Sequence, residues 1–117
     1  MSGLFVVLAL AAAAAESLTI EVVSAEMGYD RRTNEPVISF RMSEASKQLF
    51  GELTQKNVGR KMAVKVDGRV LTAPVIREPI LGGSGQISSN FTPAQARELA
   101  ARIAAGKATV EFEIVPD

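Results

Sequence analysis

Residues 73–91, APVIREPILGGSGQISSNF, constrain the fold more than any other part of this 117-residue chain. Pro74 and Pro79 fix φ and carry no backbone N–H, so a continuous helix across them is disfavoured. Gly82, Gly83 and Gly85 open backbone angles that other residues avoid, which predicts a tight, exposed turn. Residues 86–88 then alternate polar, apolar, polar, as a short strand does. Thr92, Pro93 and Gln95 spell a helix start: an N-cap hydroxyl, a proline at the first helical position, and a glutamine placed to close a capping box.

The elements on either side follow from periodicity. Residues 18–24 alternate, with Leu18, Ile20 and Val22 on one face. Residues 27–35 are turn-rich and charged. Residues 36–42 predict a second strand, with Ile38, Phe40 and Met42 on one face and Val37, Ser39 and Arg41 on the other. Ser43 caps a helix whose first turn carries Glu44, where the macrodipole favours an anion. Ala45, Leu49 and Leu53 predict its apolar stripe, with Phe50 beside it, and the helix ends near Asn57. Residues 61–66 alternate again, and Asp67-Gly68 is a two-residue hairpin signal leading into residues 69–72. The second helix runs from Pro93 to Ala105, with Ala96, Leu99, Ala100 and Ile103 buried and Gly106 at its C-cap. Residues 109–114 form the last strand, apolar at Val110, Phe112 and Ile114.

Strand, helix, hairpin, helix, strand is the split βαβ order of a ferredoxin-like α+β sandwich. The expected architecture is an antiparallel-rich sheet with both helices on one face, and an extra N-terminal strand. Ser39, Arg41, Lys61, Lys65, Glu111 and Glu113 are then expected on the open, polar face.

Composition narrows the function. The hydrophobic share of 47% supports one small core. Thirteen basic residues balance thirteen acidic ones, which argues against nucleic-acid binding, a task that needs a basic excess. With no cysteine there are no disulfides, thiolate metal sites or thiol nucleophile, and with no histidine the commonest general base and metal ligand is missing. Ser43, Ser46 and Lys47 cluster at a helix start, where capping explains the serines. Glu111 and Glu113 share a strand face about 7 Å apart, but an open face with cations nearby reads as a solvated surface. The glycines at 82–85 lack the Lys-Ser/Thr pair that completes a phosphate loop. No catalytic, cofactor or metal site is predicted.

Residues 4–10 are a short apolar run, followed by five alanines at 11–15 and a first charge at Glu16. The run is too brief to span a bilayer of about 30 Å and reads as a signal peptide cleaved after Ala15, although no Lys or Arg precedes it. The expected organisation is a signal at 1–15 and a single domain at 16–117, exported to the periplasm, with no transmembrane segment in the mature chain.

Several segments together resemble SecD, the accessory subunit of bacterial protein export, and within it the head of the first periplasmic domain. They are SFR at 39–41, FGELT at 50–54, NVGR at 57–60, VDG at 66–68, APVI at 73–76, GGSGQI at 82–87, NFT at 90–92 and the helix at 96–105. The chain departs from that family at SEAS (43–46), at Ser89 where glycine is usual, and after Gly106. The resemblance implies a non-enzymatic head that holds emerging polypeptide and helps draw it from the translocon. The predicted polypeptide-binding residues are Arg77, Ile80, Leu81, Gly83, Ser84, Gly85, Gln86 and Asn90, on the loop that a rigid scaffold would present. The same loop also reads as scaffold that orders the helix at Thr92. The partner is then extended secretory polypeptide or a component of an envelope export complex. A structural or regulatory subunit docking through the polar sheet face is the alternative, and an envelope hydrolase has the thinnest support.

Overall fold

A computed structural model describes residues 16–116; the expected signal at 1–15 lies outside the described residues. Seven strands and two helices follow in the order β1 (Ser17–Ile20), β2 (Val22–Tyr29), β3 (Pro36–Met42), α1 (Glu44–Lys56), β4 (Met62–Val66), β5 (Arg69–Thr72), β6 (Ser84–Ile87), α2 (Pro93–Ala104) and β7 (Val110–Ile114). The α+β class and the antiparallel pairing stand. The strands, however, divide between two sheets: β1-β7-β4-β5 and β2-β3-β6. The helices divide with them, α1 against β1 and α2 against β2 and β3.

The division begins at Glu21. The segment expected as one outer strand breaks there into β1, which pairs with β7, and β2, which pairs with β3. Glu21 can leave both ladders because the start of α1 satisfies its backbone. Its N–H donates to Ser46 Oγ at 2.8 Å, and its carbonyl accepts from Ser43 N–H at 2.9 Å. These two bonds replace the ladder partners that Glu21 gives up, and so hold the crossover in place. One residue later β2 bulges between Val22 and Ser24, and Val23 is 58% exposed. β2 also runs to Tyr29, further than the sequence indicated, and the turn is confined to the residues after Asp30, whose carboxylate accepts from Arg32 and Thr33 N–H.

Alternation places Ile38, Phe40, Met42, Met62, Val64, Val66, Val110, Phe112 and Ile114 in one core, as the sequence predicts. Val37 and Ala63, expected outward, are buried as well; each lies in a strand flanked on both sides. The stripe of α1 is rotated from expectation. Ala45 is exposed and Leu49 is 52% exposed, while Ser46, Phe50, Gly51, Leu53 and Thr54 face inward. The helix turns its serine toward Glu21 and its glycine and threonine toward the proline–glycine loop, and the leucine gives way. The open polar face is corrected too: Ser39 and Arg41 belong to the three-stranded sheet, Lys65, Glu111 and Glu113 to the four-stranded one. On the latter, Lys65 Nζ lies 2.9 Å from Glu113 Oε1.

The turns read from sequence are present. Asp67 (φ 51°) and Gly68 (φ 84°) both take left-handed angles, as a type I′ hairpin requires. The Asp67 carboxylate accepts from Thr109 N–H at 2.9 Å and from Arg102 at 2.8 Å, tying the hairpin to the end of α2 and the start of β7. At α2 the Thr92–Gln95 capping box is complete, and Gly106 takes φ 75° past the helix end.

Two predictions follow from this packing. Phe112→Ala and Phe40→Ala should each lower unfolding free energy by about 3–5 kcal/mol in urea titrations, since both remove buried ring volume. Glu111→Ala should cost under about 1 kcal/mol; a larger loss there would contradict the strand register. The backbone of Thr109 first, then Arg102, hold the Asp67 carboxyl below its ordinary value of 3.8. Its contribution to stability is therefore complete above that ordinary value and is lost as pH falls through the lower folded-state value. Asp67→Asn should flatten the acid limb of the stability–pH curve below about pH 4, measured by thermal melts.

Candidate functional site

The loop from Ala73 to Phe91 is fastened to the fold at successive points, and several of the fasteners sit on α1. Thr54 is fully buried in the helix, and its Oγ1 accepts from Ile80 N–H at 2.9 Å. The Thr54 hydroxyl itself donates back to the Phe50 or Gly51 carbonyl, at 2.9 and 3.1 Å. Gly51, one turn earlier, leaves room for the loop: a Cβ there would stand 3.1 Å from Leu81 Cδ2 and 3.8 Å from the Ile80 carbonyl oxygen. Further on, the Gly83 carbonyl accepts from Met42 N–H at 2.9 Å, and the Lys47 stem lies against Gly83 itself.

The loop glycines have separate roles. Gly83 takes φ 74°, and a Cβ would also strike Lys47 at 3.0 Å. Gly85 has no left-handed φ, contrary to the conformational role expected for it; its constraint is space. It pairs with Phe40 across the β3–β6 ladder, and a Cβ would lie 3.1 Å from Phe40 Cζ. Gly82 has neither constraint.

The predicted site residues do not converge on one point. Ser84, Gly85 and Gln86 lie in β6, an edge strand of the three-stranded sheet. With Ser24, Glu26, Ser39 and Arg41 they line a shallow polar trough of about 360 Å³. Leu81, 61% exposed, instead borders a groove of about 400 Å³ over α1 with Lys47, Gln48, Glu52 and Gln55. Arg77 and Ile80 belong to a third concavity, beside Val75 and Met62. Asn90 sits at φ 51° just ahead of the capping box, where it turns the chain into α2. Phe91, the residue before the cap, packs against the core.

Gly51, Thr54 and Phe40 were not among the residues singled out for this site, yet they hold its loop in place. A signal for two of them exists in the sequence. Glycine and threonine inside a helix are poor helix formers, so FGELT at 50–54 indicates a packing demand rather than a propensity. Among the described residues no group of three or more acidic side chains is arranged to hold a metal, and no helix is long and apolar enough to cross a membrane. Ser43 caps the helix, as expected, by accepting from Ser46 N–H, whereas Ser46 accepts from Glu21 N–H in a long-range contact and is not a cap.

The geometry is that of an α+β head: two small antiparallel sheets, a helix on each, and a long loop pinned to one helix and ending as an edge strand. The chain belongs to the SecDF P1 head subdomain family, whose profile matches residues 10–110. It is 38% identical over 96 residues to protein translocase subunit SecD of Rickettsia bellii, covering 82% of this chain and 18% of that protein. Against SecD of Calditerrivibrio nitroreducens it is 38% identical over 94 residues, covering 80% and 18%. A solved structure of SecDF, described as a membrane component that enhances protein export, superposes with a TM-score of 0.70 at 30% identity, over 83% of this chain and 44% of that one. The chain thus spans about a fifth of the length of these curated relatives.

The three glycines provide a test of the loop geometry. Gly85→Ala should destabilise by about 1–3 kcal/mol through overpacking on Phe40, and Gly83→Ala by about 1–2 kcal/mol through its left-handed angle. Gly82→Ala should be neutral or stabilising by up to about 1 kcal/mol. Chemical denaturation of the three variants side by side measures the order.

Proposed function

We propose that the chain is a non-enzymatic polypeptide-binding head that assists protein export on the outer side of the inner membrane. The observation that carries this reading is the position of β6. It is paired on one side only, by β3, and is held there by Gly85 on the Phe40 ring and by the Gly83–Met42 hydrogen bond. An edge strand on a rigid base can accept an extended chain through main-chain hydrogen bonds, a mode that tolerates many client sequences. The neighbouring trough is polar and shallow, which suits transient contact. The likeness to a component that enhances protein export supplies the biological setting. Periplasmic location and removal of residues 1–15 belong to the same proposal.

Binding of this kind is weak, because ordering an unfolded client offsets most of the contact energy. The test is amide-resolved NMR with an unfolded secretory protein that lacks its signal. Shifts clustered between Arg77 and Phe91 are expected. Shifts confined to Lys65 and Glu113 on the four-stranded sheet, and to Lys61 beside it, would replace client binding with docking onto an envelope complex. No shifts at high client concentration would leave the loop as scaffold.

A further inference from the structure

We infer that this chain takes up extended polypeptide at a second edge, the backbone of Val75, and seats one aliphatic side chain of the client in the trough beside it. The inference rests on the polypeptide-binding reading and adds a contact point that reads the client's side chain. Beyond the end of β5, residues 74–76 run antiparallel to residues 60–62. Met62 N–H donates to the Pro74 carbonyl at 2.8 Å, Ile76 N–H to the Arg60 carbonyl at 2.8 Å, and Gly59 N–H to the Ile76 carbonyl at 2.7 Å. Lys61 and Val75 form the bridge between them. Alternation along an antiparallel pair then turns the N–H and C=O of Val75 to the opposite side. Neither has a backbone partner among the described residues.

Beside this free donor–acceptor pair lies a trough of about 300 Å³ with an almost wholly apolar lining. Met62 and Ile76, both buried, border it with Val75, which is 41% exposed, and the half-buried Ile80. Its volume is at the bottom of the range for small-molecule sites, and it suits one or two aliphatic side chains. The adjacent backbone pair is what identifies the occupant. A peptide can use a free N–H and C=O one residue apart from an apolar pocket, whereas an acyl chain or detergent tail can use only the pocket. Arg77 and Glu78 border the same trough almost entirely through apolar atoms. Pro74 and Pro79 bracket the edge, and each fixes its own φ. Pairing is thus limited to residues 75–78, which keeps the contact short and the edge resistant to aggregation.

The probes are the capped heptapeptide Gly-Ser-Thr-Leu-Thr-Ser-Gly, the same peptide with Ser for Leu, and the Leu peptide N-methylated at Leu, each titrated into the 117-residue chain. Amide and methyl NMR should show shifts at Val75, Arg77, Met62, Ile76 and Ile80 with the first peptide. The Ser peptide should bind about tenfold more weakly, the effect of one unburied Leu side chain, and the N-methylated peptide should be weakened as well. Val75→Asp, a change at an exposed position, should abolish the shifts while the Phe112 amide stays in place. An equal response to the N-methylated peptide would mean that the trough takes any apolar group, and would overturn the inference. Shifts confined to residues 84–87 would overturn it and leave client binding at β6 standing. If the unfolded secretory protein binds and no peptide does, the Val75 site falls alone; if neither binds, both readings fall.

Discussion

The contact among Phe40, Phe50 and Phe112 joins the parts of this fold that would otherwise be separate. Phe40 comes from the three-stranded sheet, Phe112 from the four-stranded sheet and Phe50 from α1. The ring centroids of Phe50 and Phe112 are 4.6 Å apart, and those of Phe40 and Phe112 are 6.2 Å apart, both tilted. Such geometry lies in the favourable range for aromatic pairs. Two sheets of three and four strands are each too small to bury a core of their own, so a shared aromatic seam is what gives them a common interior.

The loop depends on that seam. Gly85 fits against the Phe40 ring, and Thr54, which anchors Ile80, sits one turn beyond Phe50 on the same side of α1. The side of α1 that packs inward is therefore also the side that fixes the loop. Lys47 and Gly51 extend the same attachment outward to Gly83 and Leu81. The consequence is a long, irregular connection with a defined path, ending in a strand that is paired on one side only. The one loop thus delivers two stretches of free edge, at β6 in the three-stranded sheet and at Val75 beside the four-stranded one.

Polar groups at the sheet crossover are equally specific. Ser43 and Ser46 hold Glu21 through its carbonyl and N–H, and so permit the chain to pass from one sheet to the other within a single residue. Asn57, at the far end of the same helix, donates to the Leu53 carbonyl at 2.8 Å and to Glu16 at 3.1 Å, securing the entry to β1. Helix α1 is thus bonded at both ends to the residues that flank β1, Glu16 and Glu21.

What could be read from the sequence alone was local. The capping box at Thr92, the Asp67-Gly68 turn, the cap at Ser43 and the strand alternation in β3, β4 and β7 depend on neighbours a few residues apart, where steric and hydrogen-bonding rules act directly. The motifs at 39–106 also sufficed to point to the family. The partition into two sheets was not legible, because alternation tells which face of a strand is buried and not which strand it pairs with. The rotation of α1 away from Ala45 and Leu49 was hidden for a related reason: Ser46, Gly51 and Thr54 face inward to serve Glu21, Leu81 and Ile80, contacts 25 to 30 residues away in the chain. The same holds for Gly85, whose glycine is required by a ring brought over it from β3. Apolar period and backbone angle belong to the segment; pairing partner, buried polar contact and free edge belong to the assembled structure, since each is settled by a group supplied from elsewhere in the chain.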